Sequence, residues 1–301
     1  MITGFGELAA FGTALSWGVS TQVQGAMARK VGSTAITLLR MPYQVFFLGL
    51  MCVLMRVEVS TPLDGFVLLF LSGFLGVFLS DFLLYRAINI IGPPMAVLLL
   101  STSTIFSALW GWIFLGEVIP LKALLGIGTT MAGILIVVTE QSGSTLLPGQ
   151  EIPRGRRLVE GLLMATGAAV ALASGFTLTK MGLQTGITPL WGAFLRLFCG
   201  ALMLWLTGAA RGWLTPIRQG LVNYPNIYWM LFLSCAVGSF GIWMSNLALV
   251  LAPVGIVATL IGLQPIVATI LGAIWYRRRL AWQVVAGIAI AFGGTSLICL
   301  S

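Results

Sequence analysis

Five long stretches without a charged side chain constrain the fold of this chain more than any other feature of its sequence. They cover Leu8–Ala28, Ala87–Gly116, Gly161–Thr179, Gln219–Tyr276 and Leu280–Ser301. About 20 apolar residues cross a bilayer as an α-helix, and the fourth stretch is long enough for two crossings. Only 8% of the 301 residues are charged, against about 25% in soluble domains. Because the runs lack the alternation of a β-barrel, they predict an all-α integral membrane protein.

Apolar segments of the length of one membrane span predict ten transmembrane helices joined by short loops that contain Gly, Pro and Ser. The predicted helices cover 7–28, 35–55, 66–88, 93–115, 120–139, 158–181, 188–208, 227–250, 254–276 and 280–299. The longest connection, EQSGSTLLPGQEIPRGRR, is polar and lacks periodicity. It is therefore predicted to be a linker near the middle of the chain.

The sequence repeats itself on either side of this linker. Ala14-Leu15 and Leu39-Arg40 have counterparts in Ala171-Leu172 and Leu195-Arg196. Further along, Gly111, Gly126 and Gly133 align with Gly272, Gly287 and Gly294. This order of matches predicts a duplication, with a first repeat at 1–141, a linker at 142–157 and a second repeat at 158–301. Five helices per repeat reverse the direction of the second repeat, which gives the inverted arrangement of many transporters.

A resemblance to a known family rests on three segments of the first half. DFLLYRAINIIGPPMAVLLL, FSALWGWIFLGE and LLGIGTTMAGILIVV resemble the EamA-type pattern of the drug/metabolite transporter superfamily. The resemblance implies a ten-helix permease with a cavity between helices 1, 3, 4, 6, 8 and 9. It also implies a place among exporters of amino acids, with relatives that carry nucleotide sugars or sugar phosphates. The second half has Tyr276-Arg277-Arg278 where a second Leu-Gly-Glu would stand, so the role of Glu117 is not mirrored.

The positions of the basic residues predict the orientation. Eleven Lys and Arg residues follow the odd-numbered helices, and three lie at the opposite ends. Since positive residues favour the cytoplasm, this count predicts that both termini lie outside a cell (inner) membrane. The resembled family usually has both termini inside. The N-terminal MITGFGELAAFG lacks a basic region, so the first span is expected to remain uncleaved. The scattered basic residues also argue against nucleic acid as a partner.

Charged side chains inside the predicted spans are the first candidates for a substrate site. Asp81 lies about 22 Å along helix 3; it either binds a substrate ammonium or a proton, or forms an ion pair with Arg40 or another basic residue. Tyr85 shares its helix face. Arg40 and Arg196 occupy matching places in helices 2 and 7, where they either bind a carboxylate or phosphate or extend to the interface. Lys180 is expected at the interface.

Uncharged polar and aromatic residues of the spans either line a cavity or join helices by hydrogen bonds. The candidates are Trp17, Gln22, Ser101, Ser103, Trp243, Asn246 and Gln264. Glu117 is expected to be structural, near a hinge between helices 4 and 5, with Lys122 as an available partner. Further hinges are expected at helix breaks, namely Gly92, Pro93, Pro94, Pro253, Gly255 and Pro265.

These features together predict an alternating-access exporter of small metabolites such as amino acids, including aromatic or hydrophobic ones. Asp81 would meet the ammonium group, and Arg40 or Arg196 the carboxylate. A transporter of organophosphates or nucleotide sugars and a non-transporting structural subunit remain as alternatives. An intramembrane enzyme is disfavoured because the chain has no histidine and four isolated cysteines, so neither a metal nor a cofactor is expected. The protein is expected to be a monomer or a homodimer in a lipid bilayer.

Overall fold

The computed structural model describes residues 3–31, 33–143, 155–212, 226–275, 277 and 280–300. Ten helical elements, α1 to α10, occupy these ranges. Their bounds are Thr3–Val31 (α1), Ser33–Leu54 (α2), Leu63–Ile91 (α3), Pro93–Leu100 with Ser103–Leu115 (α4), Leu121–Gly143 (α5), Arg156–Gln184 (α6), Pro189–Ala210 (α7), Asn226–Leu251 (α8), Val254–Ile261 with Gln264–Trp275 (α9) and Trp282–Cys299 (α10).

The predicted all-α membrane architecture is confirmed. Several helices extend beyond their predicted ends, with α3 and α6 each reaching 29 residues, because the helical backbone continues past the charged residues at which the apolar window stops. α4 and α9 are each broken in the middle, at Ser101-Thr102 and at Gly262-Leu263. Residues 144–154, most of the predicted linker, lie outside the described residues.

The contact between α5 and α10 has the symmetry of an inverted repeat. A methyl group built on Gly126 would lie 2.7 Å from the carbonyl oxygen of Gly294, and one on Gly133 would lie 2.5 Å from that of Gly287. The sequence alignment pairs Gly126 with Gly287 and Gly133 with Gly294. Each contact is therefore the counterpart of the other, as at a two-fold interface.

The remaining helix packing follows the same relation between the repeats. α2 packs on its counterpart α7, and α4 packs on its counterpart α9. The extensive contact between α1 and α8 has its equivalent in the contact between α6 and α3. The two repeats consequently interleave in one bundle, and the space between them is enclosed by helices of both.

The middle of α3 is π-helical from Gly73 to Leu79. Its glycines allow two neighbouring helices to come close: a methyl group on Gly73 would lie 2.3 Å from the carbonyl oxygen of Arg196, and one on Gly76 would lie 2.8 Å from the Cα of Gly175. A π segment changes the helical register of the residues that follow it. Here those residues begin with Ser80 and Asp81, which face the interior of the bundle.

The expected hinge positions coincide with ends of helices. Gly92 has φ +82° between α3 and α4, a conformation that glycine adopts without steric cost, and Pro93 then begins α4. Pro253 precedes α9, and Pro265 follows the break within it. A methyl group on Gly255 would lie 2.8 Å from the Cα of Ala108, so this glycine brings α9 close to α4. Movement at these positions remains a prediction.

Nine helices of the described chain are long and apolar enough to cross a membrane. α1 is not among them, although it has 29 residues. Its interior carries a series of hydroxyl and amide side chains, among them Thr13, Ser20, Gln22 and Gln24. Because such groups are costly to expose to lipid, α1 requires polar partners on other helices.

Candidate functional site

A cavity of about 220 Å³ lies between the two repeats, and we refer to it as the deep cavity. Both repeats contribute to its wall, as expected for a transporter with inverted repeats. Its lining residues are Trp17, Ser20, Thr21, Gln24, Arg40, Met41, Gln44, Gly76, Val77, Ser80, Asp81, Leu100, Leu172, Phe176, Ala193, Arg196, Leu197, Ile242, Ser245 and Gln264.

One face of α1 forms the most polar wall of the deep cavity. Trp17, Ser20, Thr21 and Gln24 have i, i+3, i+4, i+7 spacing, which places them on one side of a helix. The Gln24 amide donates to the Ser20 hydroxyl over 2.7 Å, and the Trp17 indole donates to the carbonyl oxygen of Gly238 over 3.3 Å. The Gln264 amide of α9 donates to the Thr21 hydroxyl over 3.4 Å. This wall is thus held by bonds between the repeats.

Asp81 and Arg40 form an ion pair in the wall of the deep cavity. The distance between Arg40 Nη2 and Asp81 Oδ2 is 2.9 Å, and the side chains are 24% and 22% exposed. The pair joins α2 to α3 within the first repeat. Asp81 therefore has Arg40 as its ionic partner, and a role of Asp81 in binding a substrate or a proton remains a prediction. The alternative that Arg40 extends to the interface is wrong, because Arg40 lines the deep cavity.

Arg196 occupies the matching place in α7 but has different surroundings. It is only 6% exposed, so it too does not extend to the interface. Its guanidinium carbon lies 5.4 Å from the centre of the Phe176 ring, a cation–π contact. Among the described residues, its buried Nε has no hydrogen-bond partner and no carboxylate forms an ion pair with it. Arg196 therefore presents an uncompensated positive charge to the deep cavity.

Glu117 and Lys180 form a second buried ion pair, away from the deep cavity. Lys180 Nζ lies 2.7 Å from Glu117 Oε1, and both side chains are 11% exposed. Lys180 also donates to the carbonyl oxygen of Ala252 at the end of α8, and Glu117 accepts the backbone N–H of Val254 at the start of α9. The expectation of Lys122 as the partner of Glu117 was wrong, as was that of an interfacial Lys180, because α6 extends past Lys180 and brings it to the break between α8 and α9.

A second cavity, of about 210 Å³, lies between α2, α3 and α7, and we refer to it as the vestibule. Tyr85 belongs to this cavity and not to the deep cavity, and its hydroxyl forms a hydrogen bond with that of Thr37. The lining residues are Thr37, Leu38, Phe82, Tyr85, Arg86, Asn89, Leu204 and Arg211.

Five of the candidates from the sequence lie outside both cavities. The Gln22 amide donates to the Ala268 carbonyl and so joins α1 to α9. The Asn246 amide donates to the Pro189 carbonyl over 3.2 Å, while its buried Oδ1 has no partner in the part of the chain that the structure describes. Trp243 packs in an apolar cluster between α2, α7 and α8. Ser101 donates to the Val97 carbonyl of its own helix, and Ser103 is buried beside the break in α4.

Several residues that line the deep cavity were not singled out as candidates from the sequence. Ser20 and Thr21 could have been recognised by the helix face that they share with Trp17 and Gln24. Gln44 follows Arg40 by one helical turn, which is the same signal on α2. Ser80 and Ser245 carried no such signal, because their positions depend on the π segment of α3 and on the packing of α8.

Comparisons with known proteins agree with this architecture. The model of the EamA-like transporter family matches residues 4–139 and 159–300. No curated protein matches the sequence. A solved crystal structure matches with a TM-score of 0.75 and 17% identity over 98% of this chain and 96% of its own length, which supports the fold. Since the family model covers nearly the whole chain in two copies, the chain belongs to the EamA-like transporter family and is a membrane transporter, not an enzyme.

Proposed function

We propose that this transporter exports small metabolites that carry a carboxylate, with amino acids as its substrate class. The observation that carries the proposal is the uncompensated guanidinium of Arg196 in the wall of the deep cavity. Transport would proceed by alternating access, with the deep cavity exposed first to one side of the membrane and then to the other.

The charge balance of the deep cavity supports an anionic group on the substrate. Arg40 and Asp81 neutralise each other, so the cavity retains the positive charge of Arg196. A buried charge without a partner is costly, and a ligand that supplies the opposite charge removes that cost. The planar guanidinium can hold a carboxylate through two parallel hydrogen bonds.

The remaining wall supports a substrate that also carries an ammonium group. Asp81 and the side-chain oxygens of Ser20, Gln24 and Gln44 can accept hydrogen bonds from such a group. Trp17 offers a partly buried ring for an apolar or aromatic side chain. A zwitterionic amino acid would thus meet Arg196 with its carboxylate and the α1–α3 side of the cavity with its ammonium.

The size of the deep cavity favours small substrates. Its volume of about 220 Å³ lies below the roughly 300–1,000 Å³ of pockets for drug-sized ligands. A nucleotide sugar is at least as large as a drug-sized ligand and would therefore need a larger cavity. A small phosphorylated metabolite is the second candidate, and the presence of both Arg40 and Arg196 in the cavity wall favours it.

The proposal is tested by efflux from proteoliposomes loaded with a mixture of the twenty amino acids. We expect selective efflux of a few amino acids from the wild type. Arg196→Gln should lower this efflux by up to about 100-fold. Arg196→Lys should retain more of it, because it keeps the charge and loses only the planar fork. Arg157→Gln, which removes an exposed guanidinium at the start of α6, is the matched control and should transport normally.

Two results would overturn the amino-acid assignment. The first is the absence of efflux from folded wild-type protein, after which the same vesicles are loaded with small phosphorylated metabolites. The second is normal efflux by Arg196→Gln, which would show that the substrate does not depend on this guanidinium.

A further inference from the structure

The vestibule lies on the path between the deep cavity and one end of the bundle. On α2, Thr37 lines the vestibule and Arg40 the deep cavity. On α3, Asp81 lines the deep cavity and Arg86 the vestibule. Arg196 of α7 lines the deep cavity, and Arg211, which directly follows the last residue of α7, lines the vestibule. The two residues are about 22 Å apart along the helix axis. In chain direction, α3 and α7 run from the deep cavity to the vestibule, and α2 runs from the vestibule to the deep cavity. All three helices therefore place the vestibule on the same side of the deep cavity.

The boundary between the two cavities is formed by two polar contacts. Arg40 and Asp81 join α2 to α3 on the side of the deep cavity. Thr37 and Tyr85 join the same two helices one turn further on, on the side of the vestibule. These contacts therefore lie between the residues of α2 and α3 that line the deep cavity and those that line the vestibule.

The vestibule is built for an anion. Arg86 and Arg211 both lie against the ring of Phe82, with their guanidinium carbons 5.9 Å and 5.2 Å from the ring centre. The ring thereby holds two positive charges on one wall. Asn89 adds an amide donor, and no acidic side chain is among the described residues that line this cavity.

We infer that the vestibule is a second binding site for the carboxylate of the transported substrate, outside the Arg40–Asp81 pair. Its volume of about 210 Å³ nearly equals that of the deep cavity, so it has room for the same ligand. A cleft with charges of one sign concentrates ions of the other sign and raises their association rate. The assignment of the ligand rests on the proposed function; the assignment of an anion site does not.

The anion site is tested without transport, by modification of a single cysteine. Cys52, Cys199, Cys235 and Cys299 are replaced with alanine, and Asn89→Cys is introduced into the vestibule. The anionic sulfonatoethyl methanethiosulfonate and its cationic trimethylammonium analogue are then applied to protein in phosphatidylcholine vesicles. We expect Arg86→Gln combined with Arg211→Gln to lower the ratio of the anionic to the cationic rate at least about tenfold. Arg157→Gln should leave it unchanged.

An unchanged ratio in the double variant would overturn the anion site. A headgroup of an anionic lipid is the other source of the same chemistry, and adding phosphatidylglycerol distinguishes it. If this lipid slows the anionic reagent only where Arg86 and Arg211 are present, the occupant is a lipid headgroup and the assignment to a soluble substrate is wrong. We expect the added lipid to change the rate of the anionic reagent by the same factor with and without Arg86 and Arg211.

The link to transport is tested by flux of the amino acids that leave wild-type vesicles. We expect the double variant to raise the KM for entry from the vestibule side about tenfold with a nearly unchanged maximal rate. An unchanged KM would overturn the role in transport. If wild-type protein moves no amino acid, the proposed function fails, whereas the cysteine modification still decides whether the vestibule binds anions.

Discussion

Arg40 and Arg196 hold equivalent positions in the two repeats, yet within the described part of the chain only Arg40 has a carboxylate partner. Asp81 on α3 neutralises Arg40 at 2.9 Å. α8, the counterpart of α3, contains no acidic residue between Asn226 and Leu251. The duplication has therefore kept the guanidinium in both halves and the carboxylate in one.

This difference separates two uses of a buried cation. A cation with its own carboxylate is neutralised within the fold, and the pair holds helices together. Lys180 with Glu117 is an example. A cation without such a carboxylate, such as Arg196, is neutralised only when a ligand supplies the opposite charge. The first kind is expected to matter most for stability, and the second for transport.

The largest effect is expected at the more deeply buried pair. Glu117→Gln leaves Lys180 without a counter-charge and should destabilise the protein by about 3–5 kcal/mol. Glu117→Gln combined with Lys180→Met should recover most of this loss, because no buried charge remains. Unfolding in detergent measures both variants. If Glu117→Gln alone were as stable as the wild type, the ion pair would not be what holds these helices together.

Arg196→Gln should separate stability from transport. A hydrogen bond to a charged group contributes about 1.5–3 kcal/mol, so the transport efficiency should fall up to about 100-fold. The melting temperature should stay the same or rise, since the variant removes an uncompensated buried charge. Flux and thermal unfolding of the same preparation measure the two effects. A fall in both would place Arg196 among the structural cations.

The Arg40–Asp81 pair should show coupling in a double-mutant cycle. Arg40→Gln and Asp81→Asn should each destabilise the protein by about 2 kcal/mol. The double variant should be more stable than the sum of the single effects predicts. Chemical unfolding in mixed micelles gives the coupling energy. Strict additivity would mean that the two residues act independently despite their contact.

The smallest effect is expected for a substitution that gives Arg196 a carboxylate neighbour, as Arg40 has in the first repeat. Ala193 lies one turn before Arg196 and lines the deep cavity, so Ala193→Glu places a carboxylate at the i, i+3 position. This carboxylate should compete with the substrate and raise the KM about tenfold, equivalent to about 1.4 kcal/mol. Ala193→Gln is the control of equal size. If both variants raise the KM equally, steric hindrance and not charge is the cause.

The fold could be predicted from the sequence because its signals are local and repeated. Apolar runs of fixed length give the helices, and the aligned glycines of the two halves give the relation between repeats. The breaks within α4 and α9 were harder to predict from the sequence, because a run of apolar residues does not show where the helical backbone is interrupted. The π segment of α3 likewise depends on close contact with α6 and α7.

The site was only partly predictable. The sequence points to five residues of the deep cavity because polar groups in a membrane span require either a partner or a polar cavity. They are Trp17, Arg40, Asp81, Arg196 and Gln264. Which of them share a cavity depends on the rotation of each helix, and residue type does not give that rotation. Gln22 and Asn246 were equally plausible candidates, but their helices direct them toward neighbouring backbone carbonyls. Lys180 was misplaced because its partner lies 63 positions away in the other repeat.

The polarity of α1 has a consequence for how this protein is made. The partners that satisfy its hydroxyl and amide groups lie mainly on α8, where Ser20 donates to the carbonyl oxygen of Ser234 and Thr13 to that of Gly241. These partners are synthesised about 200 residues later, a delay of roughly 10–40 s at 5–20 residues per second. We therefore expect these groups of α1 to reach their partners on α8 only after the second repeat has been inserted. The final packing of the first helix is thus expected to be a late step of folding, completed together with that of α8.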